Sequence, residues 1–322
     1  MTIGHRGTGN SSSDNPYPEN TVPSVLAAVD EGARMIEIDI QLSADGIPVL
    51  MHDPRVDATT DGVGCVSALT LAELQQFDAG VGTRMEGAGI RIPTLDQVML
   101  ATPIDLNLEL KAAGDGCPAV SDSDYASAIL TEIEQDPAAR RILVSSFDFP
   151  LLEEIRAQDR QQDPQVVLGQ LTISPASIAA AAAAGFDALV LETTAVDHAA
   201  VAATRDAGLE IIAWTEDEPA RLAELVALDL DGIITNEPPV LEQIRAQACP
   251  VADDSGGEPT GSTGPVGGTA TTTTITDGTS SAAEDDEGDA NGCACRSDPA
   301  PSGPRWLISL LPWLGLCRRR ST

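Results

Sequence analysis

Met35-Ile36-Glu37-Ile38-Asp39-Ile40 is the stretch on which the fold turns. Side chains of a strand alternate between its two faces, so Ile36, Ile38 and Ile40 share one face while Glu37 and Asp39 share the other. The isoleucines suit a layer packed beneath helices. The two carboxylates point the opposite way, where an unpaired charge costs several kcal/mol unless a cation or a partner compensates it. Residues 106–111 repeat the pattern, with Leu106, Leu108 and Leu110 on one face and Asn107, Glu109 and Lys111 on the other. Three carboxylates therefore converge with Lys111, the single lysine among 18 basic residues.

Outward from these two strands, short apolar runs fall at about 2–5, 35–41, 104–110, 141–145, 166–171, 188–191, 210–214 and 232–235. Helical patterns lie between most of them, at 22–29, 126–133, 151–155, 178–184, 196–204, 220–226 and 240–244. Strand and helix alternating eight times predicts an α/β chain folded as a (β/α)8 TIM barrel, which count and length favour over its competitor, a doubly wound open sheet. The barrel is assigned to residues 1–247. Residues 248–304 are rich in Gly, Ser, Thr, Pro and acidic residues, with too little apolar surface to offset ordering entropy, and read as a disordered acidic linker. Residues 305–322 form a short apolar segment with an Arg-rich end.

The 322 residues carry 50 Asp and Glu against 18 Lys and Arg, a formal charge of -32. That balance excludes nucleic acid as the main partner, because coating a phosphate backbone needs clustered cations. Glu37, Asp39 and Glu109 have two readings. One is a structural network with Arg6 and Lys111. The other, which the convergence of three acids on nearby parallel strands favours, is a site for one divalent cation. All-oxygen ligation selects Mg2+ or Ca2+ over zinc. His5 and His52 each follow a short apolar run, the end of a barrel strand where active sites are built, and are expected to form an acid/base pair. His198, on a helical pattern, reads as ordinary.

The motifs His5-Arg6-Gly7, Pro18-Glu19-Asn20-Thr21, Glu37-x-Asp39, Asp45-Gly46, His52-Asp53, Ile92-Pro93-Thr94-Leu95 and Leu108-Glu109-Leu110-Lys111 occur in an order that resembles glycerophosphodiester phosphodiesterases. Ser146-Phe147, Trp214 and Asp231-Gly232-Ile233-Ile234-Thr235 continue the resemblance to about residue 247. It implies a metal-dependent barrel hydrolase that cleaves glycerophosphodiesters to sn-glycerol 3-phosphate and an alcohol. By position, Glu37, Asp39 and Glu109 would hold the metal, His5 and His52 would act as general acid and base, and Arg6 and Lys111 would hold the phosphoryl oxygens. Glu19, Asn20 and Trp214 would support the site. Asn236 stands where the family often has Asp, a departure expected to bear on the last loop and not on the metal set. Two alternatives stay open: a phospholipase D-like enzyme acting on lysophospholipid or sphingomyelin, and a non-catalytic surface binding module.

Six cysteines occur. Cys65 and Cys117 belong to segments expected above the barrel mouth, either as a disulfide in an oxidising compartment or as two free thiols. Gly292-Cys293-Ala294-Cys295-Arg296, the apolar segment and the terminal arginines resemble the C-terminal sorting tails of myxobacterial surface proteins, which implies export and attachment at the cell surface or membrane. The apolar stretch 306–317 contains Pro312 and is shorter than the about 20 residues a bilayer span needs, so an interfacial terminus is the alternative. No signal peptide precedes His5, and export therefore predicts one upstream of Met1. A cytoplasmic location is the alternative, and the oligomeric state is not written in the sequence.

Overall fold

The computed structural model describes residues 1–159 and 166–248. The linker and tail readings fall outside the described residues, apart from Ala248, which ends the last helix. In chain order the elements are β1 (Thr2–Gly4), α1 (Val22–Asp30), β2 (Met35–Leu42), β3 (Pro48–Leu50), α2 (Leu71–Leu74), α3 (Leu95–Ala101), β4 (Asp105–Leu110), α4 (Asp122–Gln135) and β5 (Ile142–Ser146). There follow α5 (Phe149–Gln158), β6 (Val166–Thr172), α6 (Ile178–Ala183), β7 (Ala188–Glu192), α7 (His198–Asp206), β8 (Glu210–Trp214), α8 (Pro219–Ala227), β9 (Gly232–Thr235) and α9 (Pro238–Ala248).

Eight of the strands pair in parallel in the order β1, β9, β8, β7, β6, β5, β4, β2. Pairing of Ile3 with Met35 returns β2 to β1 and closes the barrel. Each apolar run read from the sequence is one of these strands, and the open-sheet competitor is excluded by the closure. Ile36, Ile38 and Ile40 join Leu106, Leu108 and Leu110 in the layer between barrel and helices. The barrel interior holds a separate apolar plug of Ile3, Met35, Leu143, Leu171, Ala188, Val190, Ile212 and Ile234. Polar side chains on the inward faces of β2 and β4 therefore stand next to an apolar floor.

One element departs from the strand-and-helix reading. β3 is not a barrel strand: it runs antiparallel to the end of β2, pairing Pro48 with Leu42 and Leu50 with Ile40. The chain that follows builds a small cluster of its own around Val49, Met51, Val56, Val66, Leu74 and Ile92. α3 lacks a long apolar stripe and is set instead by a capping box, in which Thr94 and Gln97 each accept the other's backbone N–H at 3.2 and 3.1 Å. The insertion is tied to the loop after β4 by a Cys65–Cys117 disulfide spanning 52 residues, which resolves the two cysteine readings in favour of the bridge.

The last carbonyls of α3 find their partner in a buried arginine. Arg140, 2 % exposed, donates through Nη2 to Met99 O at 2.7 Å and through Nη1 to Thr102 O at 2.6 Å and Ile104 O at 3.1 Å. Its Nε pairs with Asp136 Oδ2 at 2.6 Å. A helix end buried without such partners is costly, and removing one member of a buried pair leaves the other charge uncompensated. Arg140→Met should lower unfolding stability by about 3–5 kcal/mol. The urea midpoint checks it, and an unchanged midpoint would refute the role given to Arg140.

Candidate active site

The first turn after β1 is built around two unusual backbone conformations. Arg6 has φ 51° and Asn20 has φ 53°, a left-handed region that non-glycine residues seldom occupy. At Arg6 this conformation accompanies a backbone N–H aimed at Glu37 Oε2, 2.9 Å away. Asn20 N–H bonds Arg6 O at 3.0 Å, which locks the two turns together. The Asn20 side chain then clasps Asp39 twice, donating to Oδ2 at 2.7 Å and accepting the Asp39 N–H at 3.0 Å.

Glu37 and Asp39 of β2 meet Glu109 of β4, as their cross-strand register requires. One carboxylate oxygen from each lies within 4.8 Å of the others, and all three residues are buried. Two fixed cations face them. Lys111 Nζ lies 3.0 Å from Asp39 Oδ1 and bonds Glu109, while Arg6 Nε lies 3.2 Å from Asp39 Oδ2. Glu19 orients Arg6 through a 2.8 Å ion pair to Nη1, and its other oxygen accepts the Ser11 N–H at 2.7 Å.

The charges do not balance among these residues. Burial, reinforced by Asp39 and Glu109, holds the Glu37 carboxyl well above its usual range. Burial raises Glu109 too, with Asp39 adding to it against Lys111. Burial also works against the Asp39 charge, yet Lys111 and Arg6 hold that carboxyl below its usual range. Glu37 Oε1 is buried with no hydrogen-bond partner among the described residues. Three acids against two cations, with an orphaned carboxylate oxygen, fit a divalent ion bound through oxygen.

The histidines arrive by different routes. His5 extends β1, its N–H bonded to Thr235 O at 2.9 Å. His52 does not follow a barrel strand, which corrects the reading of its placement. β3 turns back from the end of β2, and Met51 N–H bonds Asp39 O at 3.0 Å, so the hairpin returns His52 to the mouth. The His52 side chain is 35 % exposed and its Nδ1 meets Asp53 Oδ1 at 2.8 Å.

Asn236, set aside in the sequence as a feature of the last loop, bears directly on His5: its Oδ1 lies 2.7 Å from His5 Nδ1. Asp217 can only accept hydrogen bonds, and it takes the Asn236 backbone N–H at 2.7 Å and Nδ2–H at 2.6 Å. The amide is thereby fixed with its oxygen toward the ring, so His5 carries its proton on Nδ1 and a lone pair on Nε2, which the Arg6 Nε–H meets at 3.2 Å. Burial, with Arg6 beside it, pushes the imidazole down to about 4, so it is neutral near pH 7. No spacing rule in the sequence pointed to Asp217 or Asn236; their role depends on the closure of β9 against β1.

Trp214 ends β8, the strand beside β9. Its Nε1 donates to Val190 O at 3.1 Å, and its ring meets Phe147 edge to face with centroids 5.4 Å apart. Ile173 follows β6 as Phe147 follows β5, and the two are 69 % and 51 % exposed. His198 opens α7 as an exposed surface residue.

Three carboxylates that could hold a metal ion, two fixed cations and a neutral imidazole gather at the mouth of the barrel, where barrel enzymes carry their active sites. The model of the glycerophosphoryl diester phosphodiesterase family matches residues 5–240. The chain belongs to that family, and it is an enzyme of the phosphodiesterase kind. The glycerophosphodiester phosphodiesterase of Caldanaerobacter subterraneus is 29 % identical over 255 residues, covering 75 % of this chain and 96 % of that protein. One from Bacillus altitudinis is 28 % identical over 240 residues, covering 72 % and 94 %. A phosphodiesterase of Oleispira antarctica, solved with its product sn-glycerol-3-phosphate, superposes with a TM-score of 0.67 at 28 % identity, covering 76 % of this chain and 96 % of that one.

Truncating Asn236 to Ala should free the His5 ring to rotate and to exchange tautomers. Turnover is expected to fall about 10²-fold with little change in KM. Steady-state kinetics check this, and a wild-type kcat would show that the Asp217–Asn236 relay does not serve the ring.

Proposed function

We propose that this enzyme hydrolyses glycerophosphodiesters to sn-glycerol 3-phosphate and an alcohol, with one divalent cation, Mg2+ or Ca2+, held by Glu37, Asp39 and Glu109. The observation that carries the reading is the acidic trio with its unpartnered Glu37 oxygen, set beside Lys111 and Arg6. Such reactions need up to about 23 kcal/mol of barrier lowering, whereas one positioned acid or base contributes about 10²–10⁴-fold, or roughly 3–5 kcal/mol. Two histidines alone fall short. A cation held by Glu37, Asp39 and Glu109 would supply charge stabilisation to the phosphoryl group. Arg6 and Lys111 hold the remaining phosphoryl oxygens and oppose the negative field of a surface at -32.

His5 is the general base: its Nε2 lone pair exchanges the Arg6 N–H for the proton of the attacking hydroxyl, either water or the neighbouring glycerol hydroxyl, whose cyclic phosphate a water then opens to glycerol 3-phosphate, while Asn236 accepts from Nδ1. His52 is the general acid that protonates the leaving alkoxide, its ring held by Asp53. The exposed apolar rim of Phe147 and Ile173 beside Trp214 favours a second substrate class for the same site, a lysophospholipid whose chain lies along that rim. The Cys65–Cys117 bridge supports export to an oxidising compartment, in keeping with the tail sequence.

Glycerophosphocholine, glycerophosphoethanolamine and a lysophospholipid, each with Mg2+, Ca2+ or chelator, are the substrates to compare by release of the head-group alcohol. Release is expected from the glycerophosphodiesters and should vanish in chelator; no release under any metal would sink the proposal. Metal at about 100 times its dissociation constant should also stabilise the fold by about 2.7 kcal/mol, an increment that Glu109→Gln largely removes in a melting experiment.

A further inference from the structure

The inward face of β2 does not end with its two carboxylates. Gln41 is the next residue on that face after Glu37 and Asp39, and it is 4 % exposed. Its Nε2 lies 3.1 Å from Met51 O and 3.3 Å from His52 O, and it also bonds Asp53 O. Carbonyls of extended chain alternate in direction, so three successive ones meeting a single amide nitrogen require the chain to curl around it. An amide has two N–H bonds, so the three acceptors share them. The segment curled in this way is the one that carries His52.

His52 needs such a hold more than His5 does. His5 is set by a barrel strand and by Asn236, whereas His52 rides on a hairpin outside the barrel, and among the described residues its side chain hydrogen-bonds only the adjacent Asp53. We propose that Gln41 is the positioning residue for His52: alternate side chains of one strand fix both the metal ligands and the distance from them to the acid. The backbone bond from Met51 N–H to Asp39 O anchors the entry to the curl, and Gln41 fixes the carbonyls at, before and after His52. The proposal rests on the catalytic assignment of His52 made above.

Gln41→Met keeps the length of the side chain and removes its donors; Gln41→Glu places a carboxylate against the three carbonyls. Both should melt as cooperatively folded proteins. On glycerophosphocholine their kcat is expected to fall about 10²-fold with KM within about threefold of wild type, because displacing a reacting group by an ångström costs that much. The deciding comparison is Gln41→Met combined with His52→Ala. If Gln41 acts through His52, the double variant is no slower than His52→Ala alone, since the positioned group is already gone. A further sign is the leaving group. With the p-nitrophenyl ester of glycerol phosphate, whose phenolate departs without a proton, both Gln41 variants should approach wild-type rates. Losses that multiply in the double variant, a Gln41→Met enzyme with wild-type kcat, or equal losses on both leaving groups would each overturn the role of Gln41. A His52→Ala enzyme as fast as wild type would instead remove the acid assignment, and this proposal with it.

Discussion

Asp39 is fully buried and its carboxylate is the hub on which the rest of the site is arranged. An isolated charge at such a position would neutralise itself by taking up a proton. It stays ionised because Lys111, Arg6 and Asn20 converge on its two oxygens, and each of those groups has a second task. Arg6 reaches Asp39 only through a left-handed backbone turn, Lys111 through the parallel register of β4 against β2, and Asn20 through a turn bonded to Arg6. The cost of placing one carboxylate inside a barrel therefore fixes the conformation of the first loop and the alignment of two strands. The same arrangement leaves Glu37 short of positive charge, which is the chemical reason to look for a cation there.

The parts of this architecture that are local in sequence were legible in it. Alternation over six residues marked both faces of β2 and β4, and it separated Ile36, Ile38 and Ile40 from Glu37 and Asp39 without any knowledge of the partner strands. β3 was not legible as an element outside the barrel, because three residues are too few for a period to declare itself. His52 was chosen for the apolar run before it. The structure does bring that run to the mouth, by a hairpin and not by a barrel strand. Asn236 and Gln41 escaped for a different reason. Asn236 lies 231 residues from the ring it orients, and the direction of its amide is decided by Asp217, 19 residues upstream. Gln41 acts on backbone carbonyls, which leave no trace in the choice of side chains at 51–53.

The acid excess and the site also stand in a physical relation. A surface at -32 repels a phosphodiester at long range, but that field is screened over about 10 Å of salt solution, whereas the Arg6 and Lys111 charges sit among walls that screen them little. Attraction is thus confined to the mouth. The apolar plug beneath it, with Ile3, Met35 and Leu143, lowers the local dielectric constant and strengthens those few interactions.

The meeting of β1 with β9 has a wider meaning. His5 follows the first strand and the amide that sets its proton comes from the end of the last, so the pair is complete only after the two ends of the domain have come together. A sheet lacking only β9 would keep β1 paired with β2 and so hold the acidic trio and both fixed cations, yet the His5 imidazole would lack Asn236 and be free to rotate. The hydrogen-bonded setting of this imidazole is in this sense acquired with ring closure, and the state of one side chain reports the topology of the whole barrel.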